Sequence, residues 1–353
     1  MLSPMVLRGA YGSAYILTPF LFGSGGHLAN RVPCEFGCST EISRPLILFG
    51  GGLILPFFVL PSEQEPFCAN TKRRSEKAVT QTAEGIARVP VKFLRPPVYE
   101  VACGVYFSAS HPLLTAHIGA YWERVRKEFP NVQDAPPLVN VADTQGDIPL
   151  INFELANLPP LRRAWFHSAD GQNLIQVQQD RFIFNWKRAS DSDSYPSYDV
   201  VIKRFETQLA GFCAFCREVG VGELSFRQFE LIYVNHIMDS NGLAATGLTE
   251  LFVDHKRASG KRFLPSPEGI NWTSVYELPG NAGRLQILAQ SAFRLPSKEK
   301  LVRLDIAARG LSADKTDEGR RAWFDLAHDW ITHGFADVTN PDLHSEKYWQ
   351  RTS

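Results

Sequence analysis

Glu230 and His236 are the residues of this chain whose types and spacing come closest to a catalytic pair. They lie six positions apart in the segment FRQFELIYVNHI (residues 226–237), whose composition predicts a strand. Residues an even number apart on a strand share a face, and a carboxylate and an imidazole on one face could act as general acid and base. Asp239 follows at the end of this segment. The alternative interpretation is a polar strand end, which we prefer.

Arg181, Asn185 and Trp186 form a second candidate group, in the segment LIQVQQDRFIFNW (residues 174–186). This segment predicts one long strand with a bulge at Gln179 and Asp180. A strand that carries these residue types could present a stacking and hydrogen-bonding surface to a base or a peptide. The alternative is that Trp186 packs in the core while Arg181 and Asn185 fix a turn. The binding residues that we predict are Gln178, Arg181, Asn185, Trp186, Glu230, Tyr233, Asn235 and His236.

We expect these two strands to belong to one sheet, in which Arg181 and Glu230 help to fix a polar network. Buried polar groups cost free energy unless they are paired, so polar residues in otherwise apolar strands should either satisfy one another or face a ligand. Mutual pairing is the outcome that we favour, and convergence on an open groove is the alternative.

Neither a metal nor a cofactor is predicted. Cys213 and Cys216 form a CxxC, but the only other close pair, Cys34 and Cys38, is far away in the sequence. A redox CxxC would begin a helix, where the dipole lowers the thiol pKa. This one lies late in a predicted helix, so we interpret it as helix packing.

The remaining titratable residues give no stronger signal. His328 and His333 are five apart, so they diverge by about 140° around a helix. Asp325 and Asp329 share a face, and a solvated face explains them better than a metal site. The phosphate-binding, nucleophile-elbow and zinc-protease motifs do not occur in the sequence.

The composition is typical of a globular chain, here of 353 residues, and predicts no strong electrostatic field. Lys and Arg number 37, as do Asp and Glu, so the charge balance favours neither nucleic acid nor an anionic membrane. Aromatic residues make up 12%, which supports a well-filled core. Six cysteines are too few for a secreted disulfide scaffold of this length. We therefore expect reduced thiols in a cytoplasmic protein.

Residues 1–90 differ from the rest because they show no helical or strand period. Their apolar run PLILFGGGLILPFFVL (45–60) has 16 residues, fewer than the roughly 20 that a membrane-spanning helix needs. A poorly ordered extension is the interpretation we favour. A membrane anchor and translation from a downstream start are the alternatives. We expect a chain that begins near Val91 to fold as stably as the full chain.

Residues 91–240 predict a βαββαβ order, the ferredoxin-like arrangement. The expected elements are strands at 99–108, 164–168, 174–186 and 226–237, and helices at 113–129 and 198–219. Residues 131–160 contain five prolines and predict an irregular connection. Gly220 stands where a C-terminal cap belongs.

Residues 241–353 predict a second α+β unit packed on the first. The expected elements are a hairpin at 271–278 and 284–294, a strand at 301–308 and a helix at 318–336. The fold class predicted for the whole is therefore α+β, with a ferredoxin-like unit followed by a β-rich unit that ends in a helix.

Several stretches together resemble a sporadically distributed, uncharacterised family of bacterial proteins. They are PPVYEV at 96–101, LIQVQ at 174–178 followed by Asp180-Arg181, NWK at 185–187, YPxY at 195–198 and ExxYxN at 230–235. The resemblance covers roughly residues 91–345 and implies a two-part α+β protein that starts near Val91. It implies no activity. Its patchy distribution suggests an accessory, mobile-element or defence-associated system.

These observations predict a non-catalytic recognition or interaction protein, with another protein as its partner. One alternative is an enzyme of unknown reaction that uses Glu230 and His236. The other is a nucleic-acid-binding module, which the neutral charge and the missing basic-aromatic motif disfavour. The sequence does not specify the oligomeric state.

Overall fold

The computed structural model describes residues 89–138, 162–238, 251–255, 263–265 and 267–353. It also describes the backbone of two short strands, β1 (Leu7–Arg8) and β2 (Ala14–Tyr15), which pair antiparallel. The apolar run at 45–60, the connection at 139–161 and Asp239 lie outside the described residues, and the predictions made for them stay predictions. None of the described helices is long and apolar enough to cross a lipid bilayer.

A nine-stranded antiparallel sheet forms the centre of the described chain. Its order is β4-β5-β6-β7-β3-β8-β11-β10-β9. The strands are β3 (Val98–Ala109), β4 (Asn131–Ala135), β5 (Arg163–His167), β6 (Asn173–Gln178), β7 (Arg181–Lys187), β8 (Leu224–Met238), β9 (Asn271–Glu277), β10 (Gly283–Arg294) and β11 (Glu299–Gly310). The predicted α+β class is confirmed at this level.

Three helices pack on one face of this sheet, which we call the helix face. They are α1 (Thr115–Val125), α2 (Tyr198–Glu218) and α3 (Asp317–Val338), and their buried side chains share one core with the strands. The apolar stripe of α2 that the sequence predicts is buried, because its residues recur at a helical period. Gly220 follows the helix with a φ of 80°, which suits a C-terminal cap.

The opposite face of the sheet mixes small apolar patches with charged side chains, and we call it the polar face. An apolar cluster of Ala102, Ile183, Ile232, Val234 and Ala307 occupies its middle. Polar residues surround this cluster on the same alternation of the strands. No described helix covers this face.

The prediction of one long strand at 174–186 is wrong, because the segment forms a hairpin. β6 and β7 pair antiparallel with Gln178 opposite Arg181, and the turn falls at Gln179 and Asp180. The inward-facing positions shift by one between Val177 on β6 and Phe182 on β7. A bulge shifts the alternation in the same way as a two-residue turn, so the alternation alone does not distinguish them. The turn is held against β3, because the backbone N–H of Phe107 in that strand donates to the carbonyl of Asp180.

The connection predicted to be irregular after residue 131 begins with an edge strand. Four of the five residues of β4 are exposed, so this strand lacks the apolar pattern that would have predicted it. It is defined by its pairing with β5.

The strands of the two predicted units lie in one continuous sheet. β8 pairs with β11 over ten residues, from Phe229 opposite Gly310 to Met238 opposite Leu301. The predicted hairpin of β9 and β10 is confirmed and extends the sheet further. The sheet thus crosses the predicted boundary at residue 240, and the division into two units stays a prediction.

Candidate functional site

The predicted binding residues fall on both faces of the sheet. On β8, Glu230 and His236 lie on the polar face, whereas Tyr233 and Asn235 lie on the helix face. On the β6–β7 hairpin, Gln178, Arg181 and Asn185 lie on the polar face and Trp186 on the helix face. A single surface therefore does not present all of them. Two of them belong to hydrogen-bonded networks, Asn185 to one on the polar face and Tyr233 to one on the helix face.

The polar-face network runs across four neighbouring strands. Gln176 is its centre, because its Oε1 accepts from Arg163 Nη1 at 2.9 Å and from Trp165 Nε1 at 3.0 Å. Its Nε2 donates to Asn185 Oδ1 at 2.7 Å, and Asn185 Nδ2 donates to Glu100 Oε1 at 2.6 Å. All five residues are buried. Sequence reasoning selected Asn185 and missed the other four, although Glu100 and Gln176 lie in the stretches that carry the family resemblance.

Burial gives the carboxyl group of Glu100 an unusual pKa. It is raised from 4.5 to about 7 by desolvation, against the opposing effects of Arg303, Lys187 and the hydrogen bond from Asn185. Asp305, whose pKa burial also raises, forms an ion pair with Arg303 at 2.7 Å. Carboxyl groups whose pKa is raised in this way are candidates for proton transfer, and they are also found in structural networks.

His236 lies beside this network as a neutral ring. Burial, aided by Arg303, lowers its pKa to about 3, so it carries no charge at neutral pH. Its ring stacks on Tyr99 at a centroid distance of 4.0 Å.

The geometry of β8 separates Glu230 from His236. Glu230 forms an ion pair with Arg309, whereas His236 stands opposite Arg303. Six residues at about 3.3 Å each place their backbones about 20 Å apart. Sharing a face is therefore not enough, and the two side chains cannot reach one substrate atom.

Arg181 and Gln178 hold the β6–β7 turn and its surroundings. Arg181 forms an ion pair with Asp180 at 2.9 Å and lies over the ring of Tyr106 at 4.4 Å. Gln178 Oε1 accepts from the backbone N–H of Leu138 at 2.8 Å, and its Nε2 donates to Asp180. Arg181 thus helps to fix a turn, which is the alternative to a binding role that the sequence suggested for it.

A second network lies on the helix face, and we call its members Tyr195, Tyr198, Tyr233, Asp325 and His328 the tyrosine cluster. The hydroxyl groups of Tyr195 and Tyr233 are 2.8 Å apart, and the Tyr233 hydroxyl is 3.1 Å from His328 Nδ1. The ring of Tyr198 stacks on that of His328 at 4.0 Å, while its hydroxyl donates to Asp325 Oδ1 at 2.8 Å. Two of the family-resemblance stretches, YPxY and ExxYxN, meet here.

The tyrosine cluster is electrically neutral apart from Asp325. Burial raises the pKa of all three phenols, and it lowers the pKa of His328 to about 4 in spite of the carboxylates of Asp199 and Asp325. A neutral imidazole offers one donor and one acceptor. Tyr233 can therefore donate to His328 while it accepts from Tyr195.

A groove lies beside the tyrosine cluster, between the first turns of α2 and the β6–β7 hairpin. It has a volume of about 80 Å³ and is lined by Gln172, Asn173, Phe184, Trp186, Pro196, Val200, Val201 and Arg204. We call it the α2 groove. Trp186 is buried within it and touches Tyr195 at a ring distance of 5.5 Å. Ser197, just before α2, has a φ of 122°, a strained value for a residue other than glycine.

Charge and apolar surface meet at the mouth of the α2 groove. Val200 is 45% exposed. Arg204 is exposed and donates to Asn173 at 2.9 Å and to Glu128 at 3.3 Å. The groove therefore offers an apolar contact beside a cation. Of its lining, sequence reasoning had selected Trp186 alone, because the exposed positions of a helix carry no pattern of their own.

The thiols of the CxxC are not activated. Burial raises the pKa of Cys213 to about 11 and that of Cys216 to about 12, the opposite of what a redox thiol requires. Cys216 belongs to the core and Cys213 packs against it. Across the described ranges, no group of three or more His, Cys, Asp or Glu residues has the arrangement of a metal site.

Comparison with known proteins adds no family to this description. No model of a protein family matches the chain, and no curated protein matches it either.

Proposed function

We propose that this chain is a non-catalytic recognition protein, and that it binds an extended segment of a partner protein in the α2 groove. The observation that carries the proposal is the lining of that groove. Val200 and Pro196 offer apolar contact at its mouth, and beside them stands Arg204, whose partly exposed guanidinium is paired with Glu128. A peptide segment with an apolar side chain next to a carboxylate has the matching chemistry.

The surroundings of the groove support recognition rather than reaction. Its floor is rigid, because Trp186 packs in the core and against Tyr195, which is itself bonded to Tyr233. A rigid aromatic floor lowers the ordering cost of binding.

The setting of such a protein follows from the family resemblance alone. That resemblance supports a bacterial accessory system, including a mobile-element or defence system, as the context in which the partner is found. The ferredoxin-like arrangement belongs to the same proposal. It is supported by the order β8-β3-β7-β6 with α1 and α2 on one face, which is the order that a split βαβ pair produces.

The second candidate function is that of an enzyme, and one observation favours it. Glu100 has a pKa of about 7 in a polar row that also contains Arg303 and Asp305. A carboxyl group poised near neutral pH is suited to general acid–base catalysis. The nucleic-acid alternative has less support, because Trp186 lies under α2 and is only 3% exposed, so it offers no free ring to a base.

A displayed library of random peptides tests the proposal. Selection on the full chain is followed by counter-selection on Val200→Asp, a change that should be tolerated because an acidic residue in the first turn suits the helix dipole. We expect enriched peptides to combine an apolar and an acidic residue. Loss of one buried valine contact costs about 1.5–3 kcal/mol, so Val200→Asp should weaken binding about tenfold or more.

Val132→Asp is the matched control. Val132 is 50% exposed, similar to Val200, but it lies on the edge strand β4. Its variant should bind the selected peptides as the unaltered chain does. Failure to enrich any peptide, or equal binding by Val200→Asp, would contradict the proposal.

A further inference from the structure

The outer edge of β9 is open in the described structure. β9 pairs with β10 on one side only and ends the sheet. Val275 is 57% exposed and Tyr276 is 41% exposed on this strand. Exposed edges are templates for pairing with another strand.

The backbone groups that point outward from β9 follow from its ladder with β10. The N–H of Leu278 donates to Gly283, and the carbonyl of Ile270 accepts from Ser291. Both residues have even numbers, and the register between the two strands is regular. Because backbone groups alternate along a strand, the N–H and C=O groups of Asn271, Thr273, Val275 and Glu277 point away from β10.

The two edges of the nine-stranded sheet differ in how they are protected. β4, at the other end, has five residues, carries Asp134 and is followed by Pro136 and Pro137. Short length, charge and proline are the usual means of blocking edge pairing. β9 has seven residues, NWTSVYE, without proline or a basic residue inside the strand; its one charge is at its last position, and Pro279 comes after Leu278. The middle of β9, from Trp272 to Tyr276, therefore contains none of these blocking residues.

We propose that β9 pairs antiparallel with β9 of a second copy of this chain, about a two-fold axis at Ser274. In that register the outward-pointing Thr273 of one copy faces Val275 of the other, so that the two exchange their backbone hydrogen bonds. Trp272 faces Tyr276, and Asn271 faces Glu277. Aromatic and β-branched pairs stabilise antiparallel strands, and no like charges stand opposite one another.

The identity of the partner follows from this self-complementarity. An isologous contact needs a patch that matches itself. A register centred on Ser274 uses all seven residues and keeps outward-pointing groups opposite outward-pointing groups. This pairing is independent of the α2 groove, which lies beside α2 and the β6–β7 hairpin.

Sedimentation analysis of the full chain over a range of concentrations tests the pairing. We expect a dimer that Val275→Pro abolishes at concentrations where the unaltered chain is fully dimeric. Proline there removes an outward N–H and leaves the ladder to β10 intact, and edge strands tolerate such a proline. Val275→Thr keeps both the N–H and the β-branched side chain, so it should still dimerise. A monomer at every concentration, or a dimer that survives Val275→Pro, would overturn the proposal.

A cysteine at the axis tests the register and does not depend on the proline variant. Ser274 would face its own copy in a non-hydrogen-bonded pair, with Cα atoms about 4.5 Å apart, which is within the range of a disulfide. Under mild oxidation Ser274→Cys should therefore give a covalent dimer. Val275→Cys should give no more of it than the unaltered chain, since Val275 faces Thr273. Equal cross-linking of both variants, or none by Ser274→Cys, would refute the pairing.

Discussion

Replacing Glu100 by glutamine should change how the stability of this protein depends on pH. In the folded chain the pKa of Glu100 is about 7, compared with 4.5 for the unburied group. Between pH 4.5 and 7 the folded chain therefore binds this proton while the unfolded chain has lost it. Since the folded state binds more protons in that window, the free energy of unfolding falls as pH rises through it.

The magnitude follows from the difference between the two pKa values. A difference of about 2.5 corresponds to roughly 3 kcal/mol, and Glu100 is fully buried, so solvent does not screen it. The unaltered chain should lose up to this amount between pH 4.5 and 8 on account of Glu100. Glu100→Gln has no such proton to lose. Its amide still accepts from Asn185, and any cost of the new NH₂ group, about 1–3 kcal/mol if it lacks a partner, is the same at both pH values.

Urea unfolding at pH 5 and pH 8 measures the effect in both chains. We expect Glu100→Gln to gain stability relative to the unaltered chain by roughly 2–3 kcal/mol on going from pH 5 to pH 8. Glu123→Gln serves as the control, because the side chain of Glu123 is 55% exposed, and it should leave the pH dependence unchanged. If the two glutamine variants respond to pH alike, the assignment of a high pKa to Glu100 is wrong.

Two further predictions concern single hydroxyl and carboxylate groups in the networks. Tyr233→Phe should lower the free energy of unfolding by about 1–3 kcal/mol, because it removes the hydroxyl group that bonds to Tyr195 and His328. Thermal unfolding measures this loss, and Tyr276→Phe, at an exposed tyrosine, should leave the midpoint almost unchanged as a control. An unchanged midpoint for Tyr233→Phe would contradict the network. Glu230→Ala and Arg309→Ala should each destabilise the chain, and the double variant should lose less than the sum, since the two form one partly buried ion pair. Strictly additive losses in a double-mutant cycle would show that the pair is not coupled.

The tertiary structure also decides how the predicted site residues are grouped. We predicted that Arg181 and Glu230 share one polar network. β7 and β8 do lie in one sheet, as predicted, with β3 between them. Arg181 and Glu230 form ion pairs with Asp180 and Arg309, and the charge of Glu230 also acts on Arg181 across β3 and helps to raise its pKa. The shared network therefore stays a prediction. Which strand becomes a neighbour is not encoded in the alternation of either strand, so the partners could not be read from the sequence.

The helices and most strands could be predicted because their signals are local. The stripe of α2 recurs at a helical period, and its end at Gly220 follows from the one residue that adopts a positive φ without cost. The hairpin of β9 and β10 was predicted from the turn between two apolar segments. The β6–β7 turn was missed because a two-residue turn and the predicted bulge at Gln179 and Asp180 shift the inward alternation alike. β4 was missed because its exposed residues carry no pattern.

The sequence by itself therefore determined the helices, most of the strands, the burial of the CxxC on α2 and the mixed α+β class, because each depends on neighbours along the chain. Only the tertiary structure decided which side chains meet. Asn185 and Glu100 are 85 residues apart in the sequence, and Tyr198 and Asp325 are 127 residues apart, yet each pair is joined by a hydrogen bond. The raised pKa of Glu100 and the neutrality of His328 likewise arise from burial by distant segments. Contacts between distant residues are fixed by how whole strands and helices pack, so a side chain's partners and its charge state emerge only when the sheet has formed.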